Sequence, residues 1–480
     1  MLCINIPAVN LYNPVMQPKK LFIFLADGVG LRNFAFTQFY ALGKARGYEV
    51  VFWNASPFAL SDLGYTEIKI PRPKNHRWTE LVKNAQIQIE LSLNKKRSQD
   101  AVYDSYRFPS TPKTAGAWVK KILLSLLVFT HQSPKGLLRI QRLLAYLEKQ
   151  TPYYSYCCAV LQQEKPDLLF CTNQRLSLAL APIMAAQSVQ IPTSTFIFSW
   201  DNLPKGTKLV QPDYYLVWSH HMKAELQYYY PEVTNSQIKI TGTPQFEAHY
   251  DAALLQTRED FFAEHNLDLT KQYICFSGDD ITTSPNDPVY LADLAAAVRQ
   301  LNEKGKALGI LFRRCPVDFS TRYDAVLQEF KDCIISVAPK WEKQGAEWNA
   351  ILPTQADTTL LVNTIYHTEL VVNLGSSMVF DYATHHKPCA YIRYDVPNCP
   401  VSDWSVQKIY NFIHFRSMPN SNAVHWIDSA AAIEEVLLGM LDENTPDRKI
   451  AASDWFEKIN QQPANLASAR IWTAFDELLN

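Results

Sequence analysis

Short apolar runs alternate with amphipathic segments along the chain from about Lys19 onward. The runs are almost continuously apolar, which is typical of strands in a parallel sheet that is covered by helices on both faces. In the first half of the chain they fall at 21–26, 48–53, 167–171, 193–198, 214–218 and 238–242. This alternation of strand and helix predicts a doubly wound, Rossmann-like α/β domain.

A second alternating series follows a helical stretch around 258–265. Its apolar runs fall at 273–278, 308–313, 333–338, 369–375 and 389–394. The sequence therefore predicts a second Rossmann-like domain. Two such domains place ligands in a central cleft, at the carboxyl ends of their strands.

Helical patterns account for the remaining segments. The stretch 77–97 has a helical period and ends in a basic cluster, and 99–163 shows helical segments separated by prolines but no clear strand. We expect an N-terminal domain over 1–248 with a helical insertion at about 99–163, and a C-terminal domain over 249–453. The last stretch, 454–480, is expected to form two helices, split near Pro463, that pack back toward the N-terminal domain.

The composition and charge of the chain argue against several classes of protein. The 480 residues carry 46 Lys and Arg against 47 Asp and Glu, so no overall positive field favours nucleic acid as a partner. The nine cysteines lack the spacing of a zinc site and are expected to be reduced thiols. The first residues lack the pattern of an export leader, and the longest apolar run, 122–129, is too short to span a bilayer. These features predict a cytoplasmic protein.

The segment 116–129 leaves two interpretations open. It combines Trp118, Lys120 and Lys121 with a leucine-rich run. Apolar helical stripes usually belong to the core, so a packed helix is the first interpretation. Peripheral contact with the inner surface of the membrane is the second.

The most informative segment for chemistry is 357–392. It predicts a helix, a buried strand, a Gly-Ser-Ser turn and a second helix that starts at Ser376 or Ser377. The free N–H groups at such a helix start favour an anion, and Asp381, one turn further on, is placed to accept hydrogen bonds from ribose hydroxyls. The alternative is that the turn only caps the helix and that Asp381 is a solvated charge.

The segment 376–388, SSMVFDYATHHKP, resembles the donor-binding region of GT-B enzymes. That superfamily includes the UDP-glycosyltransferases, the peptidoglycan GlcNAc transferase and the CDP-glycerol glycerophosphotransferases. The segment is similar to the pattern of the last group, in which the serines meet phosphate and the acidic residue meets the nucleotide. The segment TGTP at 241–244 resembles the sequence that leaves the N-terminal domain in these enzymes. The resemblance implies a GT-B fold of two Rossmann-like domains facing a central cleft.

Two loops of the second domain extend the resemblance. The loop FSGDD at 276–280 matches the position of a small-residue loop against the donor phosphates, where Gly278 permits close approach. The run FRRCP at 312–316 resembles an Arg-Pro-His-Pro motif in which Arg313 or Arg314 would neutralise the diphosphate. Its missing histidine weakens the glycerophosphotransferase interpretation. We interpret Asp279 and Asp280 as loop acids, so neither a metal nor another cofactor is expected.

Two acidic residues of the N-terminal half are candidates for the general base. Asp27 enters the loop after the first strand and is the first choice. Asp201 is the second, because FSWDN at 198–202 resembles a sequence common in glycosyltransferase-like proteins. Each has a structural alternative, a turn cap for Asp27 and an Asx-turn for Asp201.

The resemblance implies an inverting, metal-independent glycosyltransferase. It would move a sugar from a nucleotide-activated donor, with a UDP-sugar favoured, to a hydroxyl of a surface-carbohydrate or lipid-linked acceptor. Three alternatives remain: a UDP-GlcNAc 2-epimerase-like isomerase, a CDP-glycerol-type transferase and a catalytically silent nucleotide-sugar binding protein. The sugar, the acceptor and the oligomeric state are left open.

Overall fold

The computed structural model describes residues 18–107, 112–343, 351–397, 399, 401, 404–442 and 446–480. The first residues, on which the expectation about an export leader depends, lie outside the described residues.

Two parallel sheets organise the molecule. The first contains β1 (Lys20–Leu25), β2 (Glu49–Asn54), β3 (Glu67–Lys69), β4 (Leu168–Cys171), β5 (Thr193–Phe196), β6 (Tyr214–Val217) and β7 (Ile238–Ile240) in the order β3-β2-β1-β4-β5-β6-β7. The next strands along the chain are β8 (Gln272–Ser277), β9 (Leu308–Arg313), β10 (Ile334–Val337), β11 (Glu342–Lys343), β12 (Ile351–Leu352), β13 (Leu370–Asn373), β14 (Cys389–Ile392) and β15 (His425–Ile427). The second sheet has the order β10-β9-β8-β13-β14-β15, and β11 and β12 form an antiparallel ribbon.

Each of the apolar runs in the sequence contains a strand, and all the pairings within the two large sheets are parallel. The predicted α/β class with two doubly wound sheets is therefore confirmed. The pattern missed β3 and β15, which are three-residue strands at the edges of their sheets. Both are too short to carry a recognisable continuous apolar run.

Helices cover the sheets and build the insertion. Those up to the end of the first domain are α1 (Gly28–Phe34), α2 (Phe39–Ala45), α3 (Thr79–Ser98), α4 (Val102–Ser105), α5 (Ala115–Thr130), α6 (Pro134–Lys149), α7 (Pro152–Glu164), α8 (Leu180–Ser188) and α9 (His220–Tyr229). The later ones are α10 (Arg258–Glu264), α11 (Asp287–Glu303), α12 (Asp324–Glu329), α13 (Gln355–His367), α14 (Met378–Ala383), α15 (Val406–Tyr410), α16 (Ile433–Asp442), α17 (Pro446–Ile459) and α18 (Ala467–Leu479).

The stretch predicted to be a helical insertion contains α4 to α7, and α5 and α6 both pack against α3. The interpretation of 116–129 as a packed core helix is wrong for most of its length. Val128 is the buried residue of α5, whereas Trp118, Ile122 and Phe129 are exposed. One face of α5 therefore meets α3, and the opposite apolar face has no partner within the described residues.

The chain leaves the first sheet after β7 through the 3-10 helix Pro244–Tyr250 and then enters the second domain. At the far end of the chain, α17 contacts both α14 of the second domain and α9 of the first. The last helix, α18, packs on α2, where Trp472 stacks against Phe39 with ring centroids 4.9 Å apart. The C-terminal helices thus connect the two domains in space.

No helix in the described part of the chain has the length and apolar character needed to cross a membrane.

Candidate functional site

A cavity of about 320 Å³ lies between the carboxyl ends of the two sheets. Residues of α1 and of the loop after β5 line it from the first domain. The 3-10 helix of the linker closes one side, and the loops after β8, β9 and β13 line it from the second domain. This is the position where ligands bind in folds of this kind.

The candidate donor-binding residues all line this one cavity. They lie at the ends of three neighbouring strands, β9, β8 and β13, or in the loops and the helix α14 that follow them. The set is Gly278, Arg313, Arg314, Ser376, Ser377 and Asp381. Tertiary structure therefore brings the candidate residues together, while their contact with a nucleotide stays a prediction.

Arg313 is held by a buried ion pair at the wall of the cavity. Its Nη2 donates to both carboxylate oxygens of Asp357, at 3.0 and 2.9 Å. Asp357 also accepts hydrogen bonds from the Lys340 N–H at 2.9 Å and from Trp341 Nε1 at 2.6 Å. The second terminal nitrogen of Arg313, Nη1, is buried without a hydrogen-bond partner among the described residues. The guanidinium is thus fixed in place with an unused donor.

Two more guanidinium groups line the cavity. Arg32 reaches it from α1 in the first domain and forms no ion pair with any described residue. Burial lowers the pKa of Arg32; Asp381 and Asp357 oppose this shift, and Arg313 adds to it. Arg314 donates through Nη1 to the carbonyl of Ser320 at 2.9 Å. The cavity therefore combines cationic groups from both domains.

Asp381 is positioned by a histidine that the sequence pattern did not single out. Nε2 of His249 lies 2.9 Å from Oδ1 of Asp381, and Nδ1 of His249 lies 3.3 Å from Nε2 of His385. Burial lowers the pKa of His385 to about 4, with His249 adding to the shift. The second oxygen of Asp381 has no hydrogen-bond partner among the described residues, so it is available to a ligand. The linker residue and the helix residue are 132 positions apart, which no local pattern can connect.

Asp279, interpreted from the sequence as a loop acid, also lines the cavity. Burial, together with the nearby carboxyl groups of Asp287 and Asp280, raises its pKa to about 8. Arg322 anchors the loop by donating to the backbone carbonyls of Asp279 and Ser284. A carboxyl group with a raised pKa thus lies in a loop that Arg322 anchors beside the cleft.

Two local expectations need correction. The helix α14 begins at Met378 instead of Ser376 or Ser377 and is six residues long, and Ser377 makes no side-chain capping hydrogen bond. Gly278 was expected to allow a ligand's close approach, but a Cβ there would lie 2.9 Å from Oη of Tyr323. The glycine is therefore required at least in part by packing within the domain.

Asp27, the first candidate for the general base, does not line the cavity. It is 0% exposed and caps α1: Oδ1 accepts from the Gly30 N–H at 2.7 Å and Oδ2 from Nδ2 of Asn173 at 3.0 Å. Burial raises the pKa of Asp27. Both carboxylate oxygens of Asp27 already accept a hydrogen bond and are shielded from the cavity. The geometry therefore supports the helix-capping alternative and does not support a general base in contact with an acceptor hydroxyl.

Asp201, the second candidate, is also absent from the cavity lining. It forms an ion pair with Lys205 and accepts a hydrogen bond from Nδ2 of Asn202 at 2.9 Å. Burial alone would raise its pKa, but Lys205 and His414 outweigh that effect and hold the pKa well below the usual range. Such a carboxylate is a weak proton acceptor, so the base assignment gains no geometric support here either.

Within the described residues, no group of three His, Cys, Asp or Glu side chains is arranged to hold a metal ion. Independence from metal remains a prediction.

No family model and no curated protein matches the chain. Solved structures match its fold over nearly its whole length. A UDP complex of MnaA from S. aureus is 12% identical with a TM-score of 0.53, covering 96% of this chain and 97% of that one. A putative UDP-N-acetylglucosamine 2-epimerase from Listeria monocytogenes is 12% identical with a TM-score of 0.54, covering 96% of each chain. A glycosyltransferase from Rickettsia africae ESF-5 is 9% identical with a TM-score of 0.50, covering 96% of this chain and 99% of that one.

At such low identity the likeness establishes the fold alone. It agrees with the two facing Rossmann-like domains and with the cleft between them. The chain therefore has the two-domain GT-B-like fold, which it shares with MnaA, with a putative epimerase and with a glycosyltransferase.

Proposed function

We propose that the chain is a glycosyltransferase that binds a nucleoside diphosphate sugar in the cleft cavity and transfers the sugar to a hydroxyl group of an acceptor. The observation that carries the proposal is the convergence of Arg313, Arg314 and Arg32 on one cavity, with a buried unused donor on Arg313. Guanidinium groups form strong charge-assisted hydrogen bonds to phosphate oxygens. A UDP-sugar is the favoured donor, because the MnaA structure of the same fold contains UDP.

The same groups suit the chemistry of the leaving group. When the bond between the anomeric carbon and the phosphate oxygen breaks, negative charge develops on the diphosphate. Cationic donors fixed beforehand stabilise that charge without having to reorganise. Asp381, held by His249, has one oxygen available for the ribose hydroxyls of the nucleotide.

Room for a second substrate favours transfer over isomerisation. An adjoining cavity of about 520 Å³ shares Phe36, Thr37, Ala248 and Thr358 with the first. Tyr40 and Tyr65 of the N-terminal domain line its outer part. An isomerase needs space for one nucleotide sugar, whereas a transferase must hold a donor and an acceptor in contact.

The proposal is tested by comparing UDP with uridine in calorimetric titrations of the Arg32→Met variant. Arg32 has no carboxylate partner to leave unpaired, so the variant should fold normally. UDP affinity should fall by roughly 1.5–3 kcal/mol, as expected for a lost charged hydrogen bond, while uridine affinity should stay unchanged.

Arg299→Met is the matched control, because Arg299 lies on the surface in an ion pair with Asp332. It should bind both ligands like the wild type. Wild-type affinity of Arg32→Met for UDP would contradict a diphosphate site in this cavity.

A 2-epimerase type of isomerase is the second candidate. Asp279 favours it, because a cavity carboxyl with a pKa of about 8 is suited to exchange a proton with a sugar carbon near neutral pH. Incubation with UDP-N-acetylglucosamine in deuterated water, without an acceptor, separates the two candidates. A transferase leaves the sugar unchanged, whereas an isomerase forms the C2 epimer with deuterium at that carbon.

A further inference from the structure

The exposed side of α5 carries a continuous apolar face. Its members are Trp118, Val119, Ile122, Leu126 and Phe129, which are 53 to 79% exposed. At about 100° per residue in an α-helix, these positions fall within an arc of about 100°. On the opposite side, Leu124, Leu127 and Val128 belong to the core of the first domain. The helix is therefore apolar on both sides, and only one side is covered by described residues.

The next helix along the chain, α6, also packs on α3 and has an exposed side of mixed composition. Its buried side contains Ile140 and Leu144. Its exposed apolar residues are Leu138, Leu143 and Tyr146, and its exposed basic residues are Lys135, Arg139, Arg142 and Lys149. We call the exposed faces of α5 and α6 the insertion surface.

The charge of this segment is one-sided. Between Asp104 and Glu148 the sequence contains no Asp or Glu. The same interval contains seven basic residues, Arg107, Lys113, Lys120, Lys121, Lys135, Arg139 and Arg142. From Lys113 onward all are exposed, and none has a carboxylate within 4.0 Å among the described residues. The segment is therefore strongly positive, although the net charge of the whole chain is −1.

We propose that the insertion surface docks the protein onto a lipid bilayer that carries anionic headgroups. Exposed aromatic and aliphatic side chains next to lysine and arginine are the features by which interfacial helices bind such bilayers. Trp118, with the Lys121 ammonium 5.4 Å from its ring centre, suits the boundary between headgroups and acyl chains.

The geometry of α5 places it along the bilayer plane. Its 16 residues span roughly 24 Å, less than the roughly 30 Å of the hydrocarbon core. A second copy of the chain would not be a suitable partner for the same surface, because two positive surfaces would face each other. A bilayer with anionic headgroups supplies both the apolar layer and the opposite charge.

Flotation of the full chain with lipid vesicles tests the proposal. The protein should float with vesicles of phosphatidylcholine and phosphatidylglycerol, but much less with phosphatidylcholine alone. Binding should weaken as salt is raised, because salt screens the lysines and arginines. Brominated acyl chains should quench the fluorescence of the wild type more than that of Trp118→Phe, since the indole would reach the acyl boundary.

Two variants separate the apolar from the electrostatic contribution. Ile122→Ser with Phe129→Ser, and separately Lys120→Glu with Lys121→Glu, should each weaken vesicle binding about tenfold or more. The apolar control is Ile450→Ser with Leu466→Ser, which changes two exposed apolar side chains elsewhere. The charge control is Lys304→Glu with Lys331→Glu, which changes the net charge equally. Both controls should bind like the wild type.

Absence of wild-type flotation with anionic vesicles at low salt overturns the proposal. So does equal loss of binding in the controls. A concentration-dependent dimer that the Ile122 and Phe129 substitutions abolish, without vesicle binding, would show instead that a second copy covers this surface. None of these outcomes depends on whether the cleft binds a nucleotide sugar.

Discussion

Asp279 controls part of the charge in the cleft. Its pKa of about 8 results first from burial and then from the neighbouring carboxyl groups of Asp287 and Asp280. Below that pH the group is mostly neutral, so the guanidinium groups of the cavity face an anion without opposition from this carboxyl. Above it, the ionised carboxylate adds a negative charge to the same space.

We therefore expect the affinity for UDP to fall severalfold as the pH rises from about 7 to about 8.5, because a newly formed like charge opposes the diphosphate. The sign follows from linkage: an anion binds better to the protonated form, so ionisation of Asp279 weakens binding. Calorimetric titration across this range should show a flat profile for Asp279→Asn.

Asp280→Asn is the control for this pH profile, since Asp280 lies next in the same loop but does not line the cavity. It should keep a pH-dependent fall in affinity, with the midpoint moved to lower pH, because the Asp280 carboxylate helps to raise the pKa of Asp279. If Asp279→Asn shows the same fall as the wild type, the titrating group lies elsewhere.

At the level of helices and strands, α18 packs on α2 and so attaches the end of the chain to the first domain. Trp472 is 0% exposed, and its Nε1 donates to the carbonyl of Phe39 at 2.7 Å. A Cβ at Gly43 of α2 would lie 2.0 Å from the indole ring, so the two helices approach closely only because this residue is glycine. The contact buries one of the largest side chains of the protein.

Trp472→Ala should lower the free energy of unfolding by about 3–5 kcal/mol, as is typical when a large aromatic side chain is removed from a core. Urea denaturation followed by circular dichroism measures the change. Thr473→Ala alters the adjacent exposed position and should change stability by no more than about 0.5 kcal/mol. If Trp472→Ala changes the free energy of unfolding as little as Thr473→Ala does, the packing of α18 contributes little to the stability of the first domain.

On the scale of the whole molecule, the cleft is lined by side chains from both domains. Arg32 comes from the first domain, Arg313 and Asp381 come from the second, and His249 comes from the linker. A ligand that contacts all of them would hold the domains in one relative arrangement. We therefore expect charge stabilisation in the cleft to come from these side chains.

The affinity for UDP should accordingly be the same, within about twofold, in EDTA and in millimolar magnesium, because protein cations act on the diphosphate. Calorimetric titration under both conditions checks this expectation. Manganese should be included as a third condition. A large gain in affinity with either cation would contradict the metal-independent mechanism.

The local pattern of apolar and polar residues was sufficient to predict most of the strands and most of the helices. A strand covered on both faces must be apolar throughout, and that property is visible in a window of a few residues, as at Leu308–Arg313. The candidate donor residues could also be named in advance, because Gly278, Arg313 and Ser376 each lie at or just after the end of a strand of the second series. Parallel strands deliver such loops to one edge of a sheet.

Contacts between distant residues were decided only by the tertiary structure. The pairing of His249 with Asp381, the neutralisation of Arg313 by Asp357 and the shielding of Asp27 by Asn173 each join side chains far apart in the chain. Burial, the largest cause of the raised pKa of Asp279, is a property of the packed surroundings and leaves no trace in a local pattern. The exposed face of α5 has the same cause: an apolar helix looks identical in sequence whether the fold covers one of its sides or both.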